Sequence, residues 1–334
     1  MSEVTVIGAG SWGTALALHL ARRGEVVRLW FHDSRLEARV RSSRLNRRYL
    51  PGHRLPPEVR TTSDLSEALA NTSCVLLVVP SHHLRRVVRQ CKPWLVRSVP
   101  LVVASKGVEN GTLLRMSQVV AAETGFPASR IASLSGPSFA REVAERQPTA
   151  VVIGTRNVEL ARRLQEQLSH GNLRVYRNSD QVGVELGGAL KNVVALAAGI
   201  LEGLGYGSNA GAALLTRGLH EITRLAVKLG ARRNTLAGLA GMGDLVLTCT
   251  GGLSRNRQVG VALGQGRTLQ EILAPMKMVA EGVKTSRSAY ALARREGVEM
   301  PIVQQVHAVL FRRRSPKRAI RSLLERELKS ETLL

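Results

Sequence analysis

A lysine in the middle of an apolar segment is the first candidate for chemistry in this sequence. Lys191 lies in GGALKNVVALAAG and is the only charged residue between Glu185 and Glu202. An ammonium group in apolar surroundings is costly, so it finds a partner or its pKa falls. One interpretation is a surface lysine whose stem lies on apolar neighbours and whose head is in water. The other is a general acid–base group in a site from which water is mostly excluded.

A glycine-rich turn near the start of the chain predicts a phosphate-binding loop. Gly8, Gly10 and Gly13 of GAGSWG have the GxGxxG spacing, after the strand-like VTVI and before a helix-like segment. There the first glycine permits a tight turn, the second lets the backbone approach a pyrophosphate, and the third lets helix pack on strand. The free N–H groups of the helix also favour phosphate. The sequence therefore predicts dinucleotide binding.

The residues after the second predicted strand bear on the choice between NAD and NADP. Asp33 lies 20 residues beyond Gly13, where an acid would bind the ribose 2′-hydroxyl and repel a 2′-phosphate. His32 and Arg35 could instead face a 2′-phosphate. The alternative is that all three are solvated loop residues, and the sequence leaves the preference open.

Further clusters carry groups suited to a phosphorylated substrate. Lys106 follows the strand-like PLVVA, and Gly136 and Ser138 follow IASL; ligands of doubly wound sheets bind beyond the carboxyl ends of the strands. Asp244 lies later in the chain. After it and two further glycines, a serine, an arginine and an asparagine lie at a predicted helix start, where they suit a phosphate monoester. These three are Ser254, Arg255 and Asn256. Each cluster also has a structural interpretation as a solvated lysine, a turn or a helix cap.

The elements that must position these groups change in character near residue 182. Up to there, short β-branched runs alternate with amphipathic segments, which predicts a doubly wound α/β domain over 1–182 with parallel pairing. From 183 to 334 almost every segment has helical spacing, as in NAGAALLTRGLHEITRLAVKLGA. Two domains also agree with the length of 334 residues, since one hydrophobic core seldom grows that far.

The composition argues against membrane, secreted, disulfide-rich and zinc-binding proteins. No run of about 18 residues is free of charged or polar breaks, and no basic leader precedes an apolar stretch at the start, so we expect no membrane span and no secretory signal. Cys74, Cys91 and Cys249 are too few and too scattered for a disulfide framework or a zinc site. We therefore expect a cytoplasmic protein without a metal.

The net charge of +23 is spread over distant segments, and the chain has only 4 Phe, 4 Tyr and 3 Trp for base stacking. We therefore do not expect a nucleic-acid partner. One basic run, at residues 312–318, either caps a helix end or faces solvent, or it gives weak contact with an anionic membrane surface. A non-catalytic basic module is the competing hypothesis from another functional class.

In order and over essentially the whole length, the segments GAGSWGTALA, YLPG, SKG, SGPSFA, GGALKNVVA, GMGDL and SRNR resemble the bacterial type of NAD(P)-dependent glycerol-3-phosphate dehydrogenase. The resemblance implies a Rossmann-like N-terminal domain and an all-helical catalytic domain. It implies reduction of dihydroxyacetone phosphate to sn-glycerol 3-phosphate for phospholipid synthesis, with NADPH or NADH and a leaning towards NADPH. We expect a homodimer.

The resemblance also assigns positions. It implies that Lys191 is the catalytic acid–base. Together with Lys191, the implied substrate positions are Lys106, Gly136, Ser138, Asp244, Ser254, Arg255 and Asn256. The implied cofactor positions, beside the three glycines of the loop, are Ser11, Trp12, His32, Lys106, Ala140, Arg255, Val279 and Glu281, with Tyr49 of YLPG a weaker candidate.

These residue types suit the reaction. A ketone that receives a hydride must also gain a proton on oxygen, and a desolvated lysine near other cations would have its pKa lowered towards neutrality. Lys106 could polarise the same oxygen, and Arg255 and Asn256 could anchor the phosphate. Asp244 could hold Lys191 or a water, although a nearby acid would raise the lysine pKa, and the sequence does not decide between these effects.

One position separates this chain from related β-hydroxyacid dehydrogenases, which commonly place an asparagine four residues after the lysine. Position 195 is alanine here, and Asn192 follows Lys191 directly. This favours the glycerol-phosphate enzymes over 6-phosphogluconate or hydroxyisobutyrate enzymes. The alternative function is another NAD(P)-dependent β-hydroxyacid-type dehydrogenase with a different small phosphorylated substrate.

Overall fold

The computed structural model describes residues 3–276, 280–328, 330 and 331. The chain divides into two compact units. The first comprises Met1–Lys106 with Arg115–Gln181, and the second comprises Gly107–Leu114 with Val182–Leu334. The short segment Gly107–Leu114 thus belongs with the helical unit, although it stands among the strands in sequence.

The first unit contains an eight-stranded sheet. Its strands are β1 (Glu3–Ile7), β2 (Val26–Trp30), β3 (Val59–Thr62), β4 (Thr72–Leu77), β5 (Leu101–Val103), β6 (Ile131–Ser135), β7 (Thr149–Gly154) and β8 (Leu173–Asn178). The strand order is β3-β2-β1-β4-β5-β6-β7-β8. Its first six strands have the doubly wound order of dinucleotide-binding domains, so the predicted fold class is confirmed for this unit.

One strand pair departs from the predicted parallel arrangement. β7 runs antiparallel to β6, with Ser133 opposite Gly154 and Ser135 opposite Val152. A parallel pair needs a crossover that carries the chain back along the whole strand, whereas an antiparallel pair does not. Here the connection holds a single five-residue helix, Ala140–Ala144, and the chain re-enters the sheet at the edge where β6 ends.

Helices cover the sheet of the first unit. They are α1 (Ser11–Arg22), α2 (Ser34–Ser43), α3 (Leu65–Leu69), α4 (Ser81–Cys91), α5 (Met116–Thr124), α6 (Ala140–Ala144) and α7 (Val158–Leu168), with 3₁₀ turns at Lys92–Trp94 and Ala128–Arg130. Asp64 and Asn157 cap α3 and α7 with their side-chain oxygens. Buried apolar strand residues such as Val4 and Leu76 form the core, and Cys74 is fully buried among them.

The second unit is helical throughout its described elements. They are α8 (Gln181–Gly203, whose first residue belongs to the first unit), α9 (Ser208–Lys228), α10 (Arg233–Leu236), a π-helical turn (Leu239–Gly243), α11 (Asp244–Thr250), α12 (Arg255–Gly264), α13 (Leu269–Leu273), α14 (Glu281–Arg295), α15 (Pro301–Phe311) and α16 (Pro316–Leu324). The predicted all-helical C-terminal domain is therefore confirmed.

Helix α8 is the centre of the second unit. Within the described residues it has the length and mean hydropathy of a membrane span, yet 89% of its most apolar 18-residue window is buried inside the protein. Glycines let it touch α12 backbone to backbone. A Cβ on Gly199 would lie 2.0 Å from the carbonyl oxygen of Arg257, and one on Gly260 would lie 2.2 Å from that of Leu196. This contact fixes the position of α12 against the helix that carries Lys191.

A buried carboxyl group joins two other helices of this unit. Glu221 of α9 accepts hydrogen bonds from the backbone N–H groups of Ile302 (2.8 Å) and Val303 (3.3 Å), at the start of α15. Burial nevertheless raises the pKa of Glu221 to about 7, although these two hydrogen bonds lower it. The ionised carboxylate is thus costly in the folded protein.

The raised pKa of Glu221 predicts a pH-dependent stability. Between pH 4.5 and about 7 the folded state holds a proton that the unfolded state has lost, so the free energy of unfolding falls as the pH rises through this range. Glu221→Gln should remove this fall, and the variant should gain on the order of 3 kcal/mol relative to wild type between pH 5 and pH 8. Denaturant titrations at the two pH values measure the difference.

The control for this prediction is Glu325→Gln, because Glu325 follows α16 and is exposed. It should leave the pH dependence as in the wild type. An equal pH dependence in wild type and Glu221→Gln would contradict the prediction.

Candidate active site

The predicted phosphate loop lies between β1 and α1, as the sequence indicated. Gly8 has a φ of +116°, and a Cβ there would lie 2.7 Å from the carbonyl oxygen of Val78; a Cβ on Gly13 would lie 1.9 Å from that of Gly8. Both positions therefore require glycine. A Cβ on Gly10 would have no described atom within 4 Å, so the loop is open on that side. The backbone N–H groups that begin α1 follow directly, as an anion site requires.

A buried asparagine that the sequence analysis did not single out braces this loop. Asn46 is fully buried, and its Nδ2 donates to the carbonyl of Ala9 (2.9 Å) and to Oγ1 of Thr14 (2.8 Å). Beside it, Ser11 Oγ donates to the carbonyl of Tyr49 (2.6 Å). The segment around YLPG therefore holds the loop in shape. Only the tertiary structure reveals this, because an asparagine in a polar stretch gives no local signal of burial.

The three residues weighed for the ribose contact are all exposed directly after β2. Asp33 caps α2 by accepting from the backbone N–H of Leu36 at 3.0 Å, and that hydrogen bond, with nearby arginines, lowers its pKa. The ring of His32 lies 6.0 Å from that of Trp30. Arg35 lies in the first turn of α2. The carboxylate of Asp33 thus has a structural partner, while the side chain of Arg35 is open to solvent.

Lys106, Gly136 and Ser138 are brought together at the carboxyl ends of β5 and β6. Lys106 Nζ donates to the carbonyl of Gly136 at 3.0 Å, and Ser138 Oγ donates to the same oxygen at 2.9 Å. Three residues from two predicted clusters therefore meet at one peptide group. Trp12 and Ala140, two predicted cofactor positions, lie partly buried against the core of the same unit.

Lys191 is buried in the second unit, with 7% of its surface exposed, so the interpretation as a surface lysine is wrong. Its Nζ donates to the carboxylate of Asp244, which is itself 1% exposed, and to Oγ1 of Thr248 at 2.7 Å. The hydroxyl of Thr248 donates in turn to the carbonyl of Asp244 at 2.6 Å, so its oxygen is oriented to accept from the lysine. The carboxylate favours the ammonium form of Lys191.

Local backbone geometry brings these groups together. Asp244 begins α11 directly after the π-helical turn Leu239–Gly243, and Thr248 follows one helical turn later on the same face. Gly187 of α8 packs on that π-helical turn, since a Cβ there would lie 2.4 Å from the carbonyl oxygen of Ala240. Lys191 lies one turn after Gly187 and so faces Asp244. π-Helical turns are frequent at functional sites.

Asn192, which follows Lys191 on α8, links this helix to the start of α12 by a hydrogen bond. Asn192 accepts from Nδ2 of Asn256 at 2.9 Å, and Oδ1 of Asn256 accepts from the backbone N–H of Gly282 at 2.9 Å. This fixes the orientation of the Asn256 amide and leaves its second N–H for another acceptor. Ser254 caps α12 by accepting from the backbone N–H of Arg257 at 3.3 Å, so its hydroxyl proton stays available.

Arg255 lies between these two residues in the first turn of α12. It is half-buried, and it forms no hydrogen bond or ion pair within the described residues. Burial lowers its pKa, and the opposite charge of Glu281 partly offsets this. A half-buried guanidinium without a carboxylate on it, at a helix N-terminus, is suited to a phosphate group.

Ala195 is fully buried and serves packing. The basic residues of the run at 312–318 are exposed at the end of α15 and in the first turn of α16; they are Arg312, Arg313, Arg314, Lys317 and Arg318. Within that run, Arg314 donates to Oε1 of Gln305 at 3.0 Å and to Oγ of Ser322 at 3.1 Å, a structural role. Val279 lies outside the described residues.

The chain matches known proteins over both units. Residues 3–161 match the family model of the NAD-dependent glycerol-3-phosphate dehydrogenase N-terminus, and residues 180–321 match that of the C-terminus. It is 53% identical over 332 residues to a glycerol-3-phosphate dehydrogenase (NAD(P)+) of Citrifermentans bemidjiense, with 98% of each chain covered. The crystal structure of glycerol-3-phosphate dehydrogenase from Coxiella burnetii is 43% identical, with a TM-score of 0.93 over 97% of this chain and 99% of that one.

The bracing of the loop predicts that Asn46→Asp weakens dinucleotide binding. The carboxylate has nearly the same shape but cannot donate to Ala9 and Thr14, and it adds a negative charge behind a phosphate loop. Loss of two buried hydrogen bonds should raise the Kd of NADPH and NADH by about tenfold to a hundredfold. Fluorescence titration measures this. Asn157→Asp makes the same change at the cap of α7, where aspartate keeps the cap but loses the hydrogen bond that Nδ2 donates to the carbonyl of Ser129, and should leave Kd unchanged. An unaltered Kd in folded Asn46→Asp would contradict the prediction.

Proposed function

Because the chain belongs to the family of NAD-dependent glycerol-3-phosphate dehydrogenases, we propose that Lys191 is the acid–base group in the reversible reduction of dihydroxyacetone phosphate to sn-glycerol 3-phosphate. The protein is an NAD(P)-dependent oxidoreductase. The observation that supports the role of Lys191 is its buried position with Asp244 and Thr248. The alternative, a different small phosphorylated substrate, is not favoured, since both halves of the chain match one family.

The reduction needs a hydride on the ketone carbon and a proton on the ketone oxygen. The nicotinamide cofactor supplies the hydride when bound. Lys191 in its ammonium form donates a proton from Nζ to the oxygen, which becomes the hydroxyl group, and the neutral amine accepts that proton in the reverse direction. Asp244 and Thr248 hold Nζ in place, so the proton donor needs no reorganisation during the reaction.

The substrate phosphate is anchored at the start of α12 in this proposal. Arg255 supplies the charge, and the hydroxyl of Ser254 and the free N–H of Asn256 complete the set. The hydrogen bond between Asn192 and Asn256 links this anchor to the helix of Lys191. Binding energy at the phosphate then orients a carbonyl several bonds away.

The first unit provides the cofactor loop and further contacts. Gly8, Gly10, Ser11 and Gly13 surround the opening of α1, where a pyrophosphate would bind. We assign Lys106, Gly136 and Ser138 to substrate binding, and Trp12, Tyr49 and Ala140 to cofactor contacts. Glu281 and Arg255 are the cofactor contacts proposed for the second unit. A preference for NADPH is inferred from His32 and the solvent-exposed Arg35, because Asp33 is engaged as a helix cap.

The remaining assignments concern the whole protein. We infer that residues 1–182 form the dinucleotide-binding domain and that 183–334 form the substrate and catalytic domain. We further propose a cytoplasmic homodimer that supplies glycerol 3-phosphate for phospholipid synthesis. The exposed run at 312–318 would give any contact with an anionic membrane, and vesicle cosedimentation that is independent of anionic lipid would remove that idea.

Replacement of the lysine tests the mechanism. Lys191→Met retains length and apolar packing but has no proton to donate, so kcat for dihydroxyacetone phosphate should fall by about 10² to 10⁴. Oxidation of NADPH and of NADH, followed by absorbance, measures this, and the ratio of the two rates also gives the cofactor preference. The Kd of NADPH should stay unchanged. Wild-type kcat in the variant would remove Lys191 from the mechanism, and an inactive wild type that still binds cofactor would remove the substrate assignment.

A second substitution tests the phosphate anchor. Arg255→Gln removes a charged hydrogen-bond donor, so kcat/KM for dihydroxyacetone phosphate should fall by on the order of a hundredfold. The matched variant is Arg257→Gln, because Arg257 pairs with Glu202 instead (2.7 Å). It should change kcat/KM little. With saturating NADPH and with dihydroxyacetone, which has no phosphate, Arg255→Gln should lose far less activity than with dihydroxyacetone phosphate; an equal loss with both substrates would contradict the anchoring role.

A further inference from the structure

An apolar cavity of about 530 Å³ lies in the second unit, bounded by the end of α8, by α9 and by α15 and α16. Its walls are mostly aliphatic, as with Leu214 of α9, Val306 of α15 and Leu323 of α16. None of the described residues assigned to substrate or cofactor lines it. Cavities of this volume with mainly apolar walls and a few polar groups are typical ligand sites.

Two arginines of α9 lie on the wall of this cavity. Arg217 and Arg224 are seven residues apart and so share a helix face. Arg217 is exposed and forms no hydrogen bond or ion pair within the part of the chain that the structure describes. Arg224 donates from one terminal nitrogen to the carbonyl of Glu299 at 2.6 Å, but its buried Nε has no hydrogen-bond acceptor among the described residues.

No carboxylate of the wall forms an ion pair with Arg217 or Arg224 among the described residues, although Glu221 lies within electrostatic range of Arg224. Glu221 is directed to the backbone N–H groups that begin α15. Glu299 forms an ion pair with Arg326 at 2.5 Å, and Glu327 is exposed near the end of the chain. His220 lies one turn from each arginine on α9, and its pKa reflects the positive charge of the pair. Burial lowers its pKa, and the positive charges of Arg217 and Arg224 lower it further.

We propose that this cavity binds a single-chain amphiphile with an anionic head group. The alkyl chain lies among the aliphatic side chains of α9, α15 and α16, and the carboxylate or phosphate head is held by Arg217 and by Nε of Arg224. A small polar metabolite would not cover these apolar walls. A flat aromatic ligand would have one aromatic side chain to stack on, since Tyr206 is the only one among the described residues of the wall. The cavity is concave and bounded by four helices, which suits an inserted chain better than the surface of a second copy.

Equilibrium dialysis of the full chain with radiolabelled dodecanoate, below its micellar concentration, tests the proposal. We expect saturable binding of one molecule per chain, and weaker binding of uncharged dodecanol. Ala213→Trp should weaken dodecanoate binding by about tenfold or more, because a large side chain there occupies the cavity. Ala212→Trp is the matched control, since Ala212 is also exposed on α9 but does not line the cavity.

The head-group contact has its own test. Arg217→Gln should weaken dodecanoate about tenfold and leave dodecanol unchanged, whereas Lys228→Gln, at the exposed end of α9, should change neither. Dodecyl phosphate in the same assay shows which anionic head binds more tightly, and either order supports the proposal. No saturable binding of either anion would overturn it.

Two other outcomes would also overturn the proposal. One is equal binding of dodecanoate by Ala213→Trp and Ala212→Trp. The other is a change of particle mass in Ala213→Trp without a change in binding, which would assign the cavity to a second copy of the chain. These measurements need no turnover, so the proposal stands or falls independently of the dehydrogenase mechanism.

Discussion

The buried pair of Lys191 and Asp244 is the interaction on which the rest of the second unit depends. Each charge is expensive to remove from water, and loss of one partner would leave the other uncompensated, at a cost of about 3 to 5 kcal/mol. The two charges are therefore kept together by their surroundings. Helix α8 surrounds the lysine mainly with apolar residues, and α11, which follows the π-helical turn, places Asp244 and Thr248 against the lysine. A charge that is useful in a dry site therefore dictates how its surroundings pack.

Close backbone contacts extend this constraint from α8 to the start of α12, where we propose that the substrate phosphate binds. Gly187 seats α8 on the π-helical turn, and Gly199 and Gly260 seat it on α12. With the two helices fixed in this way, the amide of Asn192 meets that of Asn256 at 2.9 Å. Lys191 and the end of α12 proposed to bind phosphate are thus positioned by one helix. The absence of a side chain at these glycines therefore determines distances between polar groups that the glycines do not themselves touch.

In the first unit, a single buried amide group holds the predicted phosphate-binding loop in position. The loop at Gly8–Gly13 exposes backbone N–H groups for a ligand, so it lacks the internal hydrogen bonds that would hold a regular element in shape. Asn46 replaces them from outside, with two donated hydrogen bonds to Ala9 and Thr14. In both units, therefore, a buried polar group with several partners prepares the geometry before any ligand arrives, which reduces the entropic cost of binding.

The sequence by itself determined the features that depend on local patterns: the glycine spacing between β1 and α1, the alternation of strands and helices, the helical second half, and the resemblance that the family matches confirmed. Only the tertiary structure decided which residues meet across long separations. It paired Lys191 with Asp244, 53 residues away, added Thr248 and Asn46, turned β7 antiparallel, and revealed β3 and α2, which the sequence analysis had not predicted. The physical reason is that periodicity and turn chemistry act within a few residues, whereas burial and pairing of polar groups depend on how whole elements pack.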